Sequence, residues 1–277
     1  GAAGWGGELK LRSARGGLRL DPNSPREVVG YSDLSLDASL QGDRLSLALA
    51  TQLPEDGRIV GRLSMGLSSA SALSGEVTLD VHRIEWLELL SVDLANPKGQ
   101  IDGHVLIGGT VGAPTLGGSA QISQFTGELP ALGVKLTEGS FRLEGDAAGS
   151  LRITGQLRSG AGVLRADGTL TPRNAENSLQ LTLRGDNITA ADTPNFDAVI
   201  SPDLQLAYGR NILRLRGVVV VPTARVDLER LDSSLSVSPD VVVVDPRDAA
   251  ETGTFLVDTN VEVQLGNEVR LKGYGLD

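Results

Sequence analysis

The chain has 277 residues, 40% hydrophobic and 22% charged, with a formal net charge of −10 and a pI near 4.8. That balance excludes a disordered chain, and the lack of a basic stripe leaves no means of neutralising phosphates, so no nucleic-acid partner is expected. With no Cys and only His82 and His104, thiolate chemistry is absent and a His-based metal or acid–base centre has little material.

From the start the pattern has period two. Residues 8–12 (ELKLR), 33–40 (DLSLDASL) and 44–49 (RLSLAL) alternate polar and apolar. Such alternation predicts strands with one apolar and one polar face. Asp56-Gly57 reads as a turn. Residues 83–93 (RIEWLELLSVD) place Ile84, Leu87 and Leu90 on one side and predict a short amphipathic helix packed on the sheet. Asn96-Pro97-Lys98-Gly99 marks a weak break after it, and Asp102-Gly103 and Asp167-Gly168 are further turn dipeptides. Residues 145–149 (GDAAG) separate two strands. Residues 178–184 (SLQLTLR), 211–216 (NILRLR) and 261–265 (VEVQL) resume the alternation, and Ala190–Pro194 is a second weak break.

Two valine runs, 218–221 and 241–244, break the period and suggest strands buried on both faces or strands whose polar edge is covered, or else an aggregation-prone segment protected by its flanking prolines. Gly266-Asn267 predicts a two-residue hairpin loop. The cadence amounts to about eighteen mostly antiparallel strands, because βαβ crossovers need a dozen or more residues each. Side by side they would extend roughly 85 Å, so the sheet must twist, curl or split. No solenoid-type repeat of fixed length is visible. The fold expected is all-β: one extended segment over 1–277, with a possible sub-boundary near 96–99.

Composition sharpens this. There are 43 Leu, 25 Val and 24 Ala against nine aromatic residues, and 35 Gly, several inside strand patterns (Gly61, Gly75, Gly155, Gly168, Gly217). Such glycines ease bends and bulges. A strongly curved sheet with an aliphatic inner face follows, its sides either meeting as a dry core or standing apart as a groove.

Enzyme signatures are missing. There is no G-x-S-x-G elbow, phosphate loop, H-E-x-x-H or EF-hand loop. His82 and His104, the second near Asp102, read as surface histidines on or near turns. Asp240, Asp245 and Asp248 read as turn and edge residues rather than a Ca²⁺ site. Asn187-Ile188-Thr189 matches a glycosylation sequon. Arg214, Arg216, Arg225 and Arg230 read as the solvated face of strands. No cofactor, metal or catalytic residue is expected, and the chain is read as a non-enzyme.

Several elements in order carry a resemblance: residues 5–9 (WGGEL), 108–118 (GGTVGAPTLGG), 201–206 (SPDLQL), 215–226 (LRGVVVVPTARV), 237–245 (VSPDVVVVD) and 265–277 (LGNEVRLKGYGLD). The set resembles the C-terminal part of the TamB family, the translocation and assembly module proteins of Gram-negative bacteria. The resemblance implies a β-taco, a long curled sheet with an apolar interior. It implies a segment of a longer, inner-membrane-anchored protein in the periplasm, with the outer-membrane barrel TamA as partner. It also relates the chain to AsmA-like bridge proteins that carry phospholipids.

Three functions follow as expectations. As a lipid conduit, the segment would carry phospholipid acyl chains (or detergent) on smooth aliphatic walls. The candidate lining is Leu45, Leu47, Leu49, Leu179, Leu181, Leu183, Leu213, Leu215, Val261, Val263 and Leu265. As an assembly scaffold for outer-membrane proteins or autotransporters, it would accept nascent strands by β-augmentation. As a structural β-solenoid spacer, it would have a closed core.

Overall fold

The structure, a computed structural model, describes residues 6–18, 29–89, 91, 93–146, 148–172, 178–227 and 256–273. Fifteen strands follow one another: β1 Gly6–Leu18, β2 Val29–Gln41, β3 Arg44–Gln52, β4 Arg58–Gly66, β5 Leu73–Val81, β6 Ala95–Thr110, β7 Ala113–Leu129 and β8 Val134–Gly145; then β9 Leu151–Ser159, β10 Gly162–Leu170, β11 Leu179–Asp186, β12 Ile188–Asp192, β13 Phe196–Gly209, β14 Ile212–Asp227 and β15 Leu256–Lys272. All belong to one sheet, ordered as in sequence except that β11 neighbours β13 and β12 also pairs with β13. Each neighbour is antiparallel apart from β14 with β15, which are parallel. Among the described residues β1 and β15 do not pair, and the curled sheet is unclosed.

The all-β, mostly antiparallel expectation holds, but several local readings do not. Strands number fifteen among the described residues because some supposed turns lie inside long strands. Asp102-Gly103 sits within β6 and Asp167-Gly168 within β10. There the glycine makes room for a neighbour: a Cβ on Gly103 would come 2.7 Å from the Ala120 Cβ. Gly266-Asn267 is not a hairpin loop. It lies inside the 17-residue β15, where two residues oppose one of β14 and form a bulge. Where a helix was expected over 83–93, Glu85–Leu89 forms a single five-residue 3₁₀ turn. Eleven residues are too few to propagate a helix without strong tertiary support. Valines 218–221 are not buried on both faces. Val220 is 36% exposed, because the sheet is one layer there. The second valine run, Asp240, Asp245, Asp248 and Arg230 lie outside the described residues.

Curvature has a local origin. Asn96 in β6, Gln124 in β7, Glu138 in β8 and Asn187 between β11 and β12 all have φ of 50–53°. At the same level the register slips in β13–β14 (Val199/Ser201) and in β14–β15 (Val221/Thr223). A bulge bends its strand and raises the local twist. Aligned in neighbours, these bulges form a crease running across the strands. β11 and β12 are in effect one strand interrupted by it.

Buried side chains gather along the crease. One cluster holds Val81, Ile84 and Phe125, against which Leu53, Ile59, Leu136 and Leu157 pack. Ile59 of β4 and Leu157 of β9 are five strand spacings apart, about 24 Å in a flat sheet. Both join this one cluster on the apolar face. A second cluster, Ala191, Ala198 and Ala224, lies further along the crease. Ser159 Oγ donates to the Thr189 carbonyl (2.6 Å), fastening β12 across the end of β9.

Candidate functional site

Above the crease the register assigns every side chain to a face. Leu49 stands opposite Gly61, Gly61 opposite Val77, and Val77 opposite Val105. Another row runs without slippage from Ala120 through Leu143, Ile153, Gly168, Leu181 and Leu206 to Leu215 and Thr259. Directly opposed residues share a face, and residues two apart along a strand share it too. All eleven candidate lining residues therefore lie on this one face. From β2 to β15, above the crease, it carries no Asp, Glu, Lys or Arg.

None of the eleven is buried. Leu45, Leu47, Leu179, Leu181, Leu183, Leu213, Leu215 and Val261 are half-buried, while Leu49, Val263 and Leu265 are 36%, 58% and 66% exposed. Leu151 is the one buried leucine among the described residues. These side chains do not interlock as a dry core. Fourteen strands in the main path make the face about 60 Å long.

Glycines complete the surface; the sequence marks them as easing bends, and the pairing adds that they make room for facing side chains. On the apolar face they sit opposite large residues: Gly75 beside Leu63, Gly155 beside Phe141, Gly168 beside Leu181. A Cβ at Gly75 would come 2.9 Å from Leu63 Cδ1, and one at Gly155 would fall on the Phe141 ring. Side chains crowd on the concave side of a curved sheet, and glycine relieves that crowding. The Phe141 ring also meets Phe125 edge-on, with centroids 6.1 Å apart.

The opposite face is polar and laced with exposed ion pairs: Arg12–Asp37 (2.8 Å), Arg184–Asp203 (3.1 Å) and Arg216–Asp258 (2.6 Å). Each contributes at most about 1 kcal/mol. Arg225 reaches Asp197 (2.6 Å) beyond the crease. Serines 39, 46, 64 and 74 line a concavity of about 640 Å³ on this polar side, with charged residues around it. Leu47, Leu63 and Gly75 of the apolar face also border it.

An apolar cavity of about 510 Å³ opens on the trough side where the crease begins. Its walls include Leu53, Ile59, Leu79, Val81 and Ile101, with the 3₁₀ turn at its rim. The 53–57 turn that forms one wall is held by His82, whose Nδ1–H donates to the Glu55 carbonyl while Nε2 lies 2.8 Å from Asp80. The Glu55 carbonyl raises the His82 pKa above 6.5; partial desolvation opposes it, and the Asp80 carboxylate adds to the rise. His104 Nδ1 lies 3.2 Å from Thr78 Oγ1 on the polar face. Among the described residues no group of His, Asp and Glu is placed to hold a metal, and no helix is long and apolar enough to cross a membrane.

Residues 5–122 match the family model described as the TamB N-terminal domain, and residues 152–277 match the TamB C-terminal domain. The chain is 24% identical over 259 residues to the "Translocation and assembly module subunit TamB" of Haemophilus influenzae. That alignment covers 88% of this chain and 20% of the relative, so the chain spans about a fifth of its length. No solved structure matches.

Proposed function

The chain belongs to the TamB family, and we propose that this part of it is a non-catalytic hydrophobic conduit, carrying phospholipid acyl chains along the periplasmic path between the inner and outer membranes. One observation carries the reading: an aliphatic face about 60 Å long, free of charge and not packed shut. A diacyl lipid of about 30 methylenes costs on the order of 24 kcal/mol to expose to water, at roughly 0.8 per CH₂. An open aliphatic trough removes most of that cost at every point. Having no fixed polar groups, it also holds no chain in one place, unlike an enzyme pocket with converging polar groups. The polar face stays in water and keeps the segment soluble.

The same family membership supports a role in outer-membrane protein assembly with TamA, the partner implied by the relative's name. A specific feature favours strand capture as the second reading. Among the described residues β15 is an edge strand, 17 residues long, with Val257, Val263, Leu265 and Leu271 more than half exposed. Such an edge templates another strand.

Replacing Leu181 or Leu215 with a charged residue separates the readings. Leu181→Arg in the complete protein should block lipid transfer between vesicles while the chain stays folded. If transfer proceeds unchanged in Leu181→Arg and Leu215→Glu, the trough is not the path. If crosslinks from β15 then reach unfolded barrel proteins, strand capture takes its place.

A further inference from the structure

We infer that the 510 Å³ cavity at the crease is a dead-end binding site for a single-chain, zwitterionic amphiphile of the lysophospholipid class. The inference rests on the trough reading but concerns a different event: retention of one molecule, not passage of many.

Three features converge on that ligand. The first is size. At about 30 Å³ for each water-sized group, 510 Å³ holds about seventeen such groups, one long acyl chain and not two. The second is closure. Val81 lines the cavity, and Leu53, Ile59 and Ile101 of its wall pack against the buried cluster of Val81, Ile84 and Phe125, so its inner side is backed by packed side chains. The third is the rim. Arg83 Nε pairs with Glu85 Oε1 at 3.0 Å, so cation and anion stand together at the mouth. That pair suits a head carrying both signs and gives a bare carboxylate no net attraction, on a chain whose charge is already −10. Trp86 is half-buried beside them, with an apolar ring and a polar N–H that suit the boundary between tail and head.

The test uses Trp86 as the reporter. In a Trp5→Phe background it is the single indole of the chain. Lysophosphatidylcholine brominated along its acyl chain is titrated below its micelle concentration. Saturable quenching with a stoichiometry of one is expected, with at least tenfold weaker binding in Leu89→Lys, at a rim residue 39% exposed, and an unchanged circular dichroism spectrum. Brominated fatty acid anion should bind at least tenfold more weakly, and diacyl phosphatidylcholine brominated on one chain should not saturate the site. Leu181→Arg, far along the trough, should leave the quenching unchanged. Equal quenching by the fatty acid anion or the diacyl lipid, or none by the lysolipid while the trough still transfers lipid, overturns this site and leaves the conduit standing. Loss of both signals overturns both.

Discussion

At Leu181 one substitution distinguishes an open trough from a sealed core. An Arg there in an open trough bends its guanidinium into water and lays its stem on the aliphatic wall. The expected loss of stability is at most about 1 kcal/mol, whereas an unpaired charge left in a sealed core costs about 3–5 kcal/mol. Urea unfolding of Leu181→Arg decides between them. Gly155 tests crowding on the concave side. Its missing Cβ is the space occupied by the Phe141 ring, so Gly155→Val should cost about 1–3 kcal/mol, and Gly61→Ala, which has room (3.5 Å to Val77 Cγ2), much less. His82 gives a pH signature. Its folded pKa is raised above 6.5, mainly by the Glu55 carbonyl. Its contribution is fully present below about 6.5 and is lost as pH rises through the folded value. Thermal unfolding should therefore show wild type losing stability relative to His82→Gln as pH rises above about 6.5. The sequence named the apolar partners at this scale because alternation alone assigns faces. It did not say which glycines were spacers, since Gly103 and Gly168 follow Asp and imitate turns.

The crease is where elements matter more than residues. Each bulge is short and polar, and its residues (Asn96, Gln124, Glu138, Asn187) look like ordinary outward positions of a strand. No local pattern announces that they align, because alignment depends on pairing register across 100 residues. Gly266-Asn267 illustrates the ambiguity: the dipeptide suits a hairpin loop or a bulge, and pairing with β14 selects the bulge. The 83–93 segment failed as a helix for a related reason. Ile84 is drawn into the crease cluster, which fixes the chain there and leaves five residues for a 3₁₀ turn. Asn187 tests the role of the crease. A β-branched residue strongly disfavours positive φ, so Asn187→Val should cost about 1–2 kcal/mol and speed hydrogen exchange in Ile188–Asp192, whereas Asn187→Gly should leave it unchanged. Equal exchange in both variants would mean that the bulge does not hold β12 in place.

Across the whole molecule, the low aromatic content and the abundance of Leu, Val and Gly share one physical reason. A conventional core fills space with large rings. A curved single sheet has only one layer and needs a smooth, thin-walled concave side. That conclusion was legible in composition and periodicity, as was the all-β class. The choice between dry core and trough was not, because strands alternate identically in both. Exposure of the apolar face decides the geometry, and occupancy by acyl chains decides the function. The direct measurement is photo-crosslinking at each residue from 179 to 184 in β11, with the complete protein in its native membranes. A period of two is expected: crosslinks to acyl lipid from Leu179, Leu181 and Leu183, and none from Gln180, Thr182 and Arg184. Lipid adducts absent at all six positions, or equal at all six, would contradict the account.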